Sequence, residues 1–288
     1  GFIKINNNFN YDESINVKIV SPNLSLKEYN EKDEISHIER LIKISAPEKD
    51  KKTIFIWPEG VFYNTYLQDI KIYENLFEKN FSKNHLIILG INNFEYSLVS
   101  DSEKYYNSLV ILNSKLELLA KYNKINLVPF GEFLPLENFF SKFNLKKITR
   151  GYNSFSPGKK REIINLDSIF KEKLILPLIC YEIIYSGNIK RKNQFPDLAV
   201  NISEDAWFGK SIGPYQHFTK AIYRSVEEGI FIARSANKGI SAFINPNGKV
   251  VKSLNMGESG SIELNFPFFY QSTLFSNYGN KIFYLIIF

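Results

Sequence analysis

Residues 174–185 read LILPLICYEIIY, an apolar run that ends abruptly in Cys180, Tyr181 and Glu182. Its branched apolar side chains predict a buried β-strand over 173–180. Cys180 is the only cysteine in 288 residues. A free cysteine on such a strand is ordinarily a small buried hydrophobe. This one also stands where the apolar run gives way to polar residues, and strand ends are where α/β proteins often carry reactive groups. Both readings are open on this stretch alone.

Further runs of the same kind predict strands over 17–22, 53–58, 86–91, 105–112, 116–122, 197–202, 240–245 and 260–265. Helices are predicted over 31–46, 66–80 and 214–236. The alternation indicates an α/β layered domain, with strands too many and too short for a single parallel barrel. In the last helix Phe218, Ile222, Val226 and Ile230 recur at four-residue spacing beside Ala221 and Ala233, which predicts one buried face. Residues 125–160 are rich in Pro, Gly and aromatics without a steady period. They read as a long excursion from the sheet, a kind of loop that usually carries function.

A chain of 288 residues with 44% apolar content is large enough for one substantial core. Aromatic residues at 15% and charged residues at 23% exclude a disordered chain. The net charge of +6 suits anionic partners such as lipid headgroups or nucleic acid. The basic residues are spread out, however, and the clusters Lys159-Lys160-Arg161 and Lys190-Arg191-Lys192 read as solvated faces; no nucleic-acid module is present. One cysteine excludes an internal disulfide, and His37, His85 and His217 have no metal-ligand spacing, so no zinc site is expected. No run reaches the roughly 18 apolar residues that cross a bilayer, and no signal peptide is seen. Residues 281–288, KIFYLIIF, read either as the opening of a longer apolar helix or as an edge strand.

A thiol nucleophile needs a base and a group to stabilise an oxyanion. Glu59, in IWPEG at 56–60, directly follows a wholly apolar strand, although a structural carboxylate would also suit that turn. Lys124, in AKYNKINLVPFGE at 120–132, ends another strand before the excursion, where a surface lysine would be equally at home. The set is more telling than its members. A Glu, a Lys and a Cys, each at the end of its own apolar strand and in that chain order, resemble the shared triad of the nitrilase, or carbon–nitrogen hydrolase, superfamily. The resemblance covers nearly the whole chain and implies a nitrilase-like four-layer αββα sandwich.

Within that superfamily, IWPE (56–59), KINLVPFGEFLP (124–135), ICYE (179–182), NISEDAWFGKSIGPYQH (201–217) and ARSANKGISAFINPNG (233–248) resemble the apolipoprotein N-acyltransferase family. Those membrane enzymes add the third acyl chain to bacterial lipoproteins. The resemblance implies Cys180 as nucleophile, Glu59 as general base and Lys124 as the cation near the oxyanion, which would also lower the Cys180 pKa. It gives supporting roles to Glu132, hydrogen-bonded to Lys124 or to a substrate amine, to the backbone N–H of Tyr181, and to Glu182, orienting nearby loops. It further implies a phospholipid acyl donor (phosphatidylethanolamine), a Cys180 thioester and a diacylglyceryl apolipoprotein acceptor, with no cofactor and no nucleic acid. Residues 1–270 would be the catalytic domain on the periplasmic face of the inner membrane. Residues 271–288 would be an exit segment and the start of a transmembrane helix, and an N-terminal transmembrane bundle would precede the chain. The aromatic segments 130–155 and 266–275 read either as membrane-facing or as a satellite core. Two departures are that Gly60-Val61 replace the family's small hydroxyl residue and alanine, and that a tryptophan is missing around Tyr29. The alternatives are a soluble carbon–nitrogen hydrolase with the same triad and a catalytically inactive lipid-binding module.

Overall fold

Period-two burial along the strands builds two sheets that share a core. In β2 (Thr53–Ile56), Ile54 and Ile56 point one way and Phe55 the other; in β3 (His85–Ser97), Leu86 and Ile88 oppose Ile87 and Leu89. All seven are buried, because both faces of the sheet are covered. The computed structural model describes residues 9–25, 28, 33–97, 102–135, 154–166, 170–187, 189, 195–269, 271–281 and 287. Tyr29, the Lys190-Arg191-Lys192 cluster, the middle of the 125–160 excursion and nearly all of 281–288 lie outside the described residues.

The first sheet has the order β12-β1-β2-β3-β4-β5 and the second β11-β10-β9-β8-β7-β6. The remaining strands of the first sheet are β1 (Tyr11–Ser21), β4 (Ser102–Leu112), β5 (Leu118–Asn123) and β12 (Gly260–Pro267). The second comprises β6 (Ile164–Asn165), β7 (Leu174–Ile179), β8 (Leu198–Glu204), β9 (Phe231–Asn237), β10 (Ser241–Ile244) and β11 (Val250–Leu254). The central runs β1-β2-β3 and β7-β8-β9 are parallel, so their C-terminal ends lie together on one edge of each sheet. Between the sheets Val17, Ile54, Ile88 and Leu109 of the first meet Ile175, Val200, Ile202 and Phe231 of the second. Helix α1 (Glu34–Ser45) and α2 (Glu74–Asn80) cover the outer face of the first sheet through Ile38, Leu41 and Phe77, and α3 (Gly213–Glu228) covers the second through Ala221. This is the four-layer αββα sandwich expected. No helix among the described residues is long and apolar enough to cross a membrane.

Three expectations change. The helix expected over 214–236 stops at Glu228, because Gly229 takes a left-handed C-cap (φ 66°), and residues 231–237 form the buried strand β9 instead. Its buried side includes Ala221 with Phe218 and Ile222 packed against the same core, as expected, but Val226 is 45% exposed and the polar His217, Arg224 and Glu228 also turn inward. The aromatic segment 266–275 divides: Phe266 belongs to the core between the sheets with Phe269 packed against it, while Phe268 and Leu274 are exposed.

Candidate active site

The parallel strand ends bring the three sequence-derived residues to one edge of the sandwich. Beyond β2 the chain stays against β3 for three residues, with Trp57 N–H donating to Ile88 O (2.8 Å) and Gly90 N–H to Pro58 O (3.3 Å). Gly90 permits this approach, because a Cβ there would stand 2.7 Å from Glu59 Cα. The loop after Glu59, which carries the Gly60-Val61 departure, is anchored by buried Glu34. That carboxylate accepts from the N–H groups of Tyr63 (2.7 Å) and Asn64 (2.6 Å) and from Tyr73 OH (2.8 Å).

Lys124 follows β5, its N–H donating to Asn107 O on β4 (2.9 Å). Glu132 sits in the tight turn beyond, where its own N–H donates to Val128 O (2.8 Å) and Val128 N–H donates to its Oε2 (2.9 Å). The side chains then converge. Lys124 Nζ donates to Glu132 Oε1 at 2.9 Å and to Glu59 Oε1 at 3.4 Å, and Asn107 Nδ2 donates to the same two oxygens at 2.8 and 2.7 Å. Glu59 Oε2 accepts the N–H of Glu204 (3.0 Å), from the end of β8 in the other sheet. Lys124 is 1% exposed. Burial opposes its charge, but Glu132 and then Glu59 outweigh burial and hold its pKa well above the ordinary lysine range. A carboxylate thus sits beside a fixed ammonium.

Cys180 opens the turn after β7 with φ 47°, a left-handed conformation that costs a non-glycine residue about 1–2 kcal/mol. It remains half-buried. Burial, then the charge of Glu59, pushes its thiol pKa up, against the opposing pull of Lys124 and a hydrogen bond with Ser203. Lys124 thus exerts the expected lowering pull, while burial and Glu59 oppose it. The cation favours the thiolate, but packing around the sulfur and the neighbouring carboxylate together hold the thiol pKa above its ordinary value.

Glu182, fully buried, ties the cysteine turn to the Lys124 loop. Its Oε2 accepts Ile179 N–H (2.9 Å); its Oε1 accepts Tyr122 OH (2.7 Å) and the N–H groups of Ile125 (2.9 Å) and Asn126 (3.2 Å), and pairs with Arg161 Nη2 (2.7 Å). Arg161 is accordingly not part of a solvated basic face. It is buried, donating also to Tyr122 OH (3.0 Å) and Ile189 O (3.1 Å), whereas Lys159 and Lys160 beside it are exposed. Tyr181 packs its ring edge-on against Tyr185 at 5.6 Å.

Sequence reasoning missed a second buried group on the far side of the cysteine. Arg234 of β9 donates through Nη2 to Asp205 Oδ2 (2.8 Å) and through Nη1 to Asn201 Oδ1; Ser203 Oγ donates to Asp205 Oδ1 (2.7 Å). His217 lies between, with Nδ1 3.0 Å from Asp205 Oδ1 and 3.1 Å from Arg234 Nη2, and Nε2 3.1 Å from the carbonyl oxygen of Cys180. Burial opposes the charge of Asp205, but Arg234 and His217 hold its pKa down to about 2. Among the described residues no group of His, Cys, Asp and Glu is arranged to hold a metal ion. A thiol, a carboxylate base and a fixed cation are the parts required for acyl transfer through a thioester, whether the acyl acceptor is an amine or water.

The carbon–nitrogen hydrolase family profile matches residues 20–265. An apolipoprotein N-acyltransferase of Bradyrhizobium diazoefficiens is 34% identical, over 79% of this chain and 42% of its own length. One of Rickettsia prowazekii is 33% identical, over 97% of this chain and 55% of its own. The chain thus spans about half the length of these curated relatives. Among solved structures, Nit3 of Saccharomyces cerevisiae, a nitrilase-superfamily member, superposes with TM-score 0.58 at 18% identity over 89% of this chain and 91% of its own. An amidase from Nesterenkonia sp. AN1, with the acetamide moiety of fluoroacetamide bound covalently at its active-site cysteine, gives 0.60 at 12% identity over 91% and 93%.

Proposed function

The chain belongs to the carbon–nitrogen hydrolase family, and from that premise we propose that it is the catalytic part of an apolipoprotein N-acyltransferase. The carrying observation is the convergence of Glu59, Lys124 and Glu132 through Asn107 on the edge where Cys180 opens its turn, in a chain similar to those acyltransferases over most of its length. Glu59 takes the thiol proton, and Sγ attacks an acyl ester of a phospholipid, phosphatidylethanolamine. Lys124 and the Tyr181 N–H stabilise the tetrahedral oxyanion. Collapse breaks the ester C–O bond; the lysophospholipid leaves with the proton from Glu59, and a thioester remains on Cys180. The α-amine of a diacylglyceryl-cysteine then attacks. The C–N bond forms, the C–S bond breaks, and Glu59 relays the amine proton back to sulfur.

The thiol that burial keeps protonated needs this base, and Lys124 and Asn107 hold Glu59 in place to serve. Competing hydrolysis requires water exclusion. Trp207, Phe208 and Ile212, between β8 and α3, and Tyr215 in the first turn of α3 stand exposed, close along the chain to the group that touches Cys180, and supply an apolar rim suited to a membrane surface on the periplasmic side. The test is intact mass spectrometry of the full-length protein after incubation with phosphatidylethanolamine vesicles. An acyl adduct on Cys180 that moves to an added diacylglyceryl-cysteine peptide is expected, and Cys180→Ser abolishes it. Turnover of small amides without a lipid-derived adduct would identify a hydrolase instead, and absence of both reactions would leave an inactive module.

A further inference from the structure

The Asp205-His217-Arg234 group is buried ionic machinery on the inward side of an amphipathic helix, where apolar residues would pack without the cost of desolvating charges. Room is made for it: a Cβ on Gly239 would collide with Asp205 Oδ2. Its outermost contact is neither substrate nor solvent but the backbone of the cysteine. A carbonyl oxygen can only accept, so His217 Nε2, 3.1 Å from Cys180 O, carries a hydrogen. The other ring nitrogen meets Arg234 and the Asp205 carboxylate, and Phe208 flanks the ring with centroids 5.7 Å apart. The imidazole is therefore fixed on three sides.

We infer that His217 is a positioning residue for acylation. By holding the carbonyl of Cys180 it fixes the planar peptide that this carbonyl shares with the Tyr181 N–H. In a trans peptide the C=O and N–H point in opposite directions, so pinning one aims the other. No peptide bond among the described residues is cis. The contact also steadies Cys180 in its left-handed conformation and polarises the peptide, which strengthens the N–H as a donor. This rests on the reading of Cys180 as the nucleophile and adds to it how one oxyanion donor is held.

Two amide variants separate the role from general packing. Gln reaches about as far as His Nε2, and Asn only about as far as Nδ1, so His217→Gln keeps a donor for Cys180 O while His217→Asn loses it. The assay uses p-nitrophenyl butyrate with the full-length protein, reading the burst of nitrophenolate as acyl-enzyme forms, beside iodoacetamide alkylation of the same thiol. Alkylation passes through no oxyanion. His217→Asn is expected to slow the acylation burst by roughly 10²-fold, the scale of one oxyanion donor, with KM and alkylation changed less than about threefold; His217→Gln stays within about threefold of the parent throughout. Equal effects of the two variants, loss of alkylation in proportion to acylation, or loss of the fold in both overturns the inference. A Cys180→Ser protein that still gives the burst defeats the nucleophile reading itself.

Discussion

Replacing Lys124 by Met keeps most of the side chain's length and apolar body and deletes one charge. At 2.9 Å from Glu132 and 3.4 Å from Glu59, that charge gains about 5 kcal/mol from each carboxylate at an effective dielectric near 20. Most of this offsets the desolvation of three charges and the repulsion between two carboxylates that share the Asn107 amide. The net cost of removing the cation is therefore about 3–5 kcal/mol of stability, the range for breaking a buried pair, read by urea denaturation near neutral pH. Chemistry should fall separately. Acyl-enzyme formation drops by about 10²-fold or more with one oxyanion-stabilising group gone, and alkylation of Cys180 slows at neutral pH because a nearby charge favouring the thiolate is lost. The double variant Lys124→Met with Glu132→Gln cancels the excess negative charge and should recover much of the stability but none of the acyl transfer. A double variant that regains both would show the lysine to be scaffold, and the reasoning would fail.

Because burial and Glu59 hold the Cys180 thiol above the ordinary range, iodoacetamide alkylation should keep rising through pH 9; a plateau by pH 7 would reveal a thiolate and contradict the electrostatics. The folded chain also keeps that proton more tightly than the unfolded one. Stability therefore falls as pH rises above about 8.5, where the unfolded thiol ionises, and Cys180→Ser should flatten the decline in denaturation profiles. Arg161→Met, which leaves the buried Glu182 without its cation, is expected to cost on the order of 3 kcal/mol. Lys160→Met, whose partner Glu162 is as exposed as itself, should change stability by less than about 0.5 kcal/mol; similar effects from both would refute the distinction.

Glu59, Lys124 and Cys180 were legible because each interrupts an apolar run where a strand ends, so their positions along the chain already encode a shared edge. Glu132 was legible only through the PFGE phrase. Asn107, which bonds both carboxylates, sits in mid-strand, where a polar residue on an alternating pattern looks ordinary. Arg161 was hidden inside a basic triplet, since composition cannot tell which of three neighbouring cations turns inward. His217 and Arg224 broke the amphipathic rule by occupying the buried side of α3, and the apolar row that marked that side gave no sign of polar residues turned inward beside it. The same row hid β9, whose residues continue the apolar content past the single glycine that ends the helix. The resting state of the thiol depends on how closely atoms surround it, and spacing in the sequence does not carry that quantity.

The pairing of β1 with β12 places a late-made strand beside an early one, with Asn16 opposite Asn265. On the ribosome β1 therefore keeps an open edge until residues 260–267 have emerged, and the first sheet lacks its border strand until then. Contacts so distant along the chain form slowly. Glu59 belongs to that unfinished layer and reaches the other through the backbone of Glu204. A chain that already contains Glu59, Lys124 and Cys180 still lacks the strand that borders the Glu59 layer.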